Sequence, residues 1–132
     1  MILVDSTVVI DYLKNADNPK VALYRKINAS GAKYGIAPFT VTEVLQGARN
    51  EKEYKEAKSY LDGLEVFYLP ETKESYEKAA RVYYNLRRRG VTPRNIIDIY
   101  IALIAADNGF PLLHNDRDFE VLVYEIKELR LL

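Results

Sequence analysis

Apolar positions along the chain fall into short runs and helical stripes that alternate from one end to the other. Ile2-Leu3-Val4 is a brief apolar run stopping at Asp5, the pattern of a buried strand. Ser6 or Thr7 is placed to cap a helix from Val8 to about Lys14, and Asn18-Pro19 opens a second helix through Ile27. Gly31 and Gly35 bracket a turn around a second strand, Tyr34 to Ala37. Thr40-Val41-Thr42-Glu43 then opens a helix to about Arg49, and a polar helix covers about Glu51 to Leu64.

Glu65 to Leu69 has strand character and Pro70 stops it. Glu71 to Arg89 reads as a long amphipathic helix with Tyr76, Ala79, Ala80, Tyr83 and Leu86 on its apolar face. Thr92-Pro93 restarts a helix that is almost wholly apolar from Ile96 to Ala106 and closes at Gly109. Pro111 to His114 is a further strand, and Val121 to Ile126 a last one. Strands alternating with helices predict an α/β fold, a parallel sheet covered on both faces. No repeat or linker interrupts the 132 residues, so a single domain spanning 1–132 is expected.

In such sheets, sites form beyond the carboxyl ends of the strands, near the point where the strand order reverses. Asp5 and Asp116 follow two apolar strands, and both should open on the same edge.

Composition narrows the chemistry. With no cysteine, a disulfide framework and a thiolate metal site are both excluded. The N-terminus lacks a basic leader, and no apolar run approaches the ~20 residues that span a bilayer. A soluble, cytoplasmic protein is expected. Net charge is zero, from 19 basic and 19 acidic side chains. The distribution is uneven, however. The segment from Lys73 to Arg94 is rich in basic residues and contains Arg87, Arg88 and Arg89 in succession, which suggests a basic rim around an acidic pocket.

Each candidate carboxylate has a structural use beside its chemical one. Asp5 can cap the helix that follows it. Thr40-x-x-Glu43 matches a capping box, in which the glutamate reaches back to the cap residue. Asp116 lies in His114-Asn115-Asp116-Arg117-Asp118-Phe119, where Asn and Asp suit a turn. Asp98 is the hardest to explain as scaffold. It is the only charged residue from Ile96 to Ala106, and burying an unpaired carboxylate costs several kcal/mol (about 2–7 even for a neutral polar group) or raises its pKa. Ala102 and Ala105 below it would let that helix lie close to the sheet. Carboxylates meeting at one strand edge repel each other unless a hard cation such as Mg²⁺ or Mn²⁺ neutralises them.

The set Val4-Asp5-Ser6, Thr42-Glu43-x-x-x-Gly47, Asp98-x-x-Ile101-Ala102 and Asn115-Asp116-Arg117-Asp118-Phe119 resembles the PIN-domain family, and within it the VapC type of toxin ribonuclease. The resemblance covers nearly the whole chain in order. It implies a three-layer α/β/α fold with a five-stranded parallel sheet. It also implies that Asp5, Glu43, Asp98 and Asp116 hold Mg²⁺ or Mn²⁺ and direct water onto an RNA phosphodiester, with Asp118 a further ligand. Partners implied are RNA, a VapB-like antitoxin whose C-terminal segment lies in the active-site groove, and a second copy of the chain. The family often has Thr or Ser where this chain has His114.

Around this set, Ser6, His114 and Asn115 are auxiliary candidates. Ser6 can hydrogen-bond a water or phosphate, and His114, the sole histidine, is either a ligand or a packed strand-end side chain. Arg87, Arg88, Arg89 and Arg94 can grip RNA phosphates, or simply favour a helix C-terminus. Tyr76 and Tyr83 suit a core or dimer surface. Two alternatives to a toxin nuclease remain: a catalytically silent PIN-like module that binds RNA or protein, and an RNA-processing nuclease outside any toxin–antitoxin pair. Other phosphoryl-transfer folds fit poorly. Thr7 stands where a haloacid-dehalogenase-type phosphatase needs Asp, and neither Gly-x-x-x-x-Gly-Lys nor Gly-x-Ser-x-Gly occurs.

Overall fold

A computed structural model describes residues 1–132. Four short strands form one parallel sheet: β1 (Ile2–Val4), β2 (Tyr34–Ile36), β3 (Glu65–Val66) and β4 (Leu112–Leu113), in the order β3-β2-β1-β4. Six helices connect and cover them: α1 (Ser6–Leu13), α2 (Pro19–Ser30), α3 (Pro38–Gln46), α4 (Glu51–Asp62), α5 (Lys73–Arg88) and α6 (Ile96–Asn108). No helix is long and apolar enough to cross a membrane.

The pleat of the strands divides the core. Leu3 and Leu112 face one side, with buried residues of α5 and α6 such as Ala79, Leu86, Ile101 and Ala105. Val4, Ile36 and Leu113 face the other, with Val8, Tyr24, Val44 and Leu61 from α1 to α4. The result is the expected α/β/α layering. Gly35 is required at the centre of β2. A Cβ there would lie 2.5 Å from the Phe67 ring and 2.7 Å from the Glu65 carbonyl oxygen.

Several local expectations are corrected. The sheet has four strands, not five. Val121 to Ile126 is not a strand but contains a 3₁₀ turn, Leu122–Tyr124. The physical reason is periodicity: Phe119, Leu122 and Ile126 are the buried residues, a spacing of three and four that turns the backbone. The sheet edge beyond β4 is instead touched by a single parallel bridge, Leu112 to Leu131. β3 ends at Val66, short of Leu69.

The helix starts also move. α3 begins at Pro38, with Ala37 in the cap position and no side-chain cap, so Thr40 and Glu43 lie inside the helix and the capping box does not form. α6 begins at Ile96, capped by Asn95 through its side chain, rather than at Pro93. On α5 the buried residues are Ala79, Val82 and Leu86, while Tyr76 and Ala80 are exposed. Val82 anchors that face because it packs on the α6 layer, a choice the stripe of tyrosines obscured.

Candidate active site

The strand order places β2 on one side of β1 and β4 on the other, so the chain reverses direction of winding between β1 and β4. That crevice is where α/β sheets place ligands. Asp5 follows β1 directly, and His114-Asn115-Asp116 follows β4. Glu43 reaches the same edge from the second turn of α3, the helix that leaves β2. Asp98 comes from the first turn of α6, where a negative charge suits the helix dipole.

Asp5, and not Ser6 or Thr7, caps α1. Its Oδ2 accepts the Thr7 backbone N–H at 3.0 Å and the Thr7 hydroxyl at 2.6 Å. The same Thr7 oxygen accepts the Asn115 N–H at 3.0 Å. One hydroxyl thus ties the loop after β1 to the loop after β4. Capping and site-building are not alternatives for Asp5, because the capped carboxylate also lies in the field of Glu43 and Asp98.

Asp116 is set in a similar way. Its Oδ1 accepts the Asp118 N–H at 2.9 Å and starts a 3₁₀ turn, Arg117–Phe119. Its own N–H donates to His114 Nδ1 at 3.2 Å. His114 is 5% exposed and lies against the Phe119 ring, centroids 5.1 Å apart. Burial, with the charge of Lys20, holds its pKa below the ordinary value, so the imidazole is neutral and Nδ1 is an acceptor. His114 therefore shapes the Asp116 loop through the backbone.

The electrostatics show how closely the acids approach. Asp98 is pushed up to about 7, first by burial and then by the negative charges of Asp5, Asp116, Asp118 and Glu43; no hydrogen bond offsets that push. Glu43 is raised by burial and by Asp5 and Asp116, partly offset by the Ser6 hydroxyl beside it. Asp5 is raised by burial, against the hydrogen bonds from Thr7. The four expected carboxylates and Asp118 share one electrostatic environment.

Carboxylate oxygens of Asp98, Asp116 and Asp118 lie within 4.8 Å of one another. Oxygens sharing one octahedral Mg²⁺ at ~2.1 Å lie about 3 to ~4.2 Å apart, so a cluster spread over up to 4.8 Å draws together to hold an ion. Glu43 Oε1 is buried without any hydrogen-bond partner. A buried, partnerless carboxylate oxygen in the field of Asp5, Asp98 and Asp116 fits a hard divalent cation with oxygen ligands. The donor set contains no sulfur, and its one imidazole spends Nδ1 on the Asp116 N–H.

The arginines separate into two groups. Arg87 and Arg88 lie over the rings of Tyr83 and Tyr84, and Arg89 pairs with Glu125 at 3.0 Å. None of these three bonds a carboxylate of the site. Arg94 does: its Nε and Nη2 donate to the two oxygens of Asp118 at 2.9 and 3.1 Å. Sequence patterning did not single out this pairing, nor the bridge made by Thr7, although Thr two residues after Asp is a recognisable turn signal. Thr40, wholly buried inside α3 one turn before Glu43, keeps an unpartnered hydroxyl and caps nothing.

Known proteins resemble this chain over nearly its whole length. Ribonuclease VapC11 of Mycobacterium tuberculosis is 27% identical over 123 residues, covering 92% of this chain and 91% of that one. Ribonuclease VapC1 of Methanocaldococcus jannaschii is 29% identical over 122 residues, covering 92% and 80%. Among solved structures, VapBC2 of Rickettsia felis, bound to a promoter DNA fragment, superposes with a TM-score of 0.73 at 16% identity, covering 100% of this chain and 98% of that one. The PIN domain family model matches residues 2–123, and this chain belongs to the PIN domain family.

Proposed function

We propose that the chain is a metal-dependent endoribonuclease and the toxin of a type II toxin–antitoxin pair, built as one domain over residues 1–132. The observation that carries this reading is the field that Asp98 shares with Asp5, Asp116 and Glu43, where the Glu43 Oε1 is buried without a hydrogen-bond partner. Similarity to proteins named VapC ribonuclease over 92% of the chain supports the nuclease assignment. Likeness to VapBC complexes supports a VapB-like antitoxin as partner.

In this reading Asp5, Glu43, Asp98 and Asp116 hold Mg²⁺ or Mn²⁺. Such an ion would supply Lewis acidity toward a phosphoryl oxygen and acidify water. The protein's own part is positioning. Thr7 orients Asp5 and ties it to the Asn115 backbone, and His114 holds the Asp116 N–H. Ser6, buried beside Glu43, steadies that carboxylate. Water adds to phosphorus, one ester P–O bond breaks, and the leaving oxygen takes a proton. Arg87, Arg88 and Arg89, exposed at the end of α5, supply phosphate contacts along the RNA. The exposed rings of Tyr68, Tyr76 and Tyr124 offer apolar surface for a homodimer. The protein acts in the cytoplasm, where its RNA substrate is.

The test is cleavage of a mixed RNA substrate with Mg²⁺ or Mn²⁺, with and without EDTA, for wild type, Asp98→Asn and Glu43→Gln. Cleavage should require the ion and fall at least ~100-fold in either variant while the fold is retained by circular dichroism. Cleavage that persists in Asp98→Asn would end this reading. Ion binding without cleavage of any RNA would favour the silent PIN-like module.

A further inference from the structure

The ion pair between Arg94 and Asp118 bears on how many cations the acidic edge accepts. Asp118 is one of the three acids whose oxygens cluster within 4.8 Å, yet both of its oxygens are already engaged. The fork of a guanidinium matches a carboxylate in two parallel hydrogen bonds, and arginine never gives up its charge near neutral pH. Arg94 is also close enough to Asp116 and Asp98 to feel their charges. It precedes α6 by one residue beyond the cap Asn95, so its backbone is held next to Asp98 by the start of that helix.

Two ions about 4 Å apart need a set of acids divided between them, with at least one bridging. In this edge the acids divide naturally. Glu43 feels Asp5 and Asp116, whereas Asp118, in the turn after β4, clusters with Asp98 and Asp116. The second place would be built on Asp98, Asp116 and Asp118. At that place the Arg94 guanidinium already sits on both oxygens of Asp118, its side chain 78% exposed.

We propose that Arg94 acts as a built-in cation, withholding Asp118 from the ligand set so that the acidic edge takes one divalent ion instead of two. This inference rests on the metal-site reading above and specifies it. Arg94 is a positioning residue here: it acts through Asp118, and its effect is on cation stoichiometry.

The test is calorimetric titration of Mn²⁺ into metal-free protein, without RNA, for four proteins. Wild type should bind one ion per chain, and Arg94→Ala two, because the freed Asp118 completes the second place. The double variant Arg94→Ala/Asp118→Asn should return to one. Asp98→Asn should lose binding at least ~10-fold, which reports on the site itself. Arg94 is exposed, so its removal leaves the fold intact, and circular dichroism verifies this. Two ions in wild type, one ion in Arg94→Ala, or two in the double variant would each overturn the role given to Arg94 while leaving the metal site standing. Unchanged affinity in Asp98→Asn, or no Mn²⁺ bound by wild type, would instead remove the site, and the role of Arg94 with it.

Discussion

The hydroxyl of Thr7 lies 2.6 Å from Asp5 Oδ2 and donates to it, while accepting the Asn115 N–H from across the sheet edge. The two loops that carry Asp5 and Asp116 are thereby joined through a side chain, in addition to the strand pairing of β1 with β4. Thr7→Val keeps the shape and removes the hydroxyl, leaving the Asn115 N–H and one Asp5 oxygen without that partner. Stability should fall by about 1–3 kcal/mol in urea denaturation, and Mn²⁺ affinity should weaken with it. Thr7→Ser should restore most of both. A Thr7→Val protein as stable as wild type would show that the bridge contributes nothing.

Asp98 gives a pH dependence of a definite sign. Its folded-state pKa is raised from 3.8 to about 7, so between those values the folded chain binds more protons than the unfolded one. Stability of the metal-free protein from this group is therefore present at low pH and lost as pH rises toward about 7. Asp98→Asn removes the charge, and in EDTA near pH ~8 it should be more stable than wild type by on the order of 2 kcal/mol, a value discounted for partial solvent screening. That advantage should shrink as pH falls toward about 4. Thermal denaturation across the range measures it, and a constant difference at all pH values would contradict the shift.

His114 works in the opposite direction. Burial lowers its pKa below 6.5, so on acidification the unfolded chain takes up a proton before the folded one does. Its contribution is present above pH 6.5 and is lost as pH falls through its lowered pKa. Protonation would also turn Nδ1 into a donor facing the Asp116 N–H, breaking the 3.2 Å contact. Nuclear magnetic resonance titration of the single imidazole should give a midpoint below 6.5 in the metal-free protein, and a midpoint above it would refute the neutral assignment.

Gly35 tests the close packing that brings β2 against β3. Gly35→Ala places a methyl group 2.7 Å from a backbone oxygen, which cannot rotate away. A loss of about 2–3 kcal/mol is expected, read by urea denaturation. Because α3 leaves from the end of β2, Glu43 should shift with it, and Mn²⁺ binding should weaken beyond what the stability change alone produces.

Much of this architecture is visible in local pattern. Ile2-Leu3-Val4 before Asp5 and Leu112-Leu113 before His114 are apolar runs too short for a helix and ended by a polar residue, which favours a strand. Asp98 betrays itself as a lone charge in an apolar helix, because burial of an unpaired carboxylate demands compensation. The failures have equally particular causes. Val121 to Ile126 is compatible with both periods, and the partners of Phe119, Leu122 and Ile126 in the core selected the turn. Thr40-x-x-Glu43 satisfies a capping pattern, yet Pro38, suited to a first helical turn, started α3 earlier.

What the order of residues established was the α/β class and the ends of β1 and β4, which depend on hydrophobic period; Asp98 stood out by the cost of burying its charge, while Asp5, Glu43 and Asp116 were singled out by resemblance to the PIN-domain family. Which acids share a field, that Thr7 joins Asp5 to Asn115, that His114 serves as an acceptor, and that Arg94 claims Asp118 while Arg87, Arg88 and Arg89 turn elsewhere, came from packing. The reason is distance along the chain. Asn115 lies 108 residues from Thr7 and Asp118 24 from Arg94, and contacts of that span are set by strand order and side-chain direction, which no local pattern encodes.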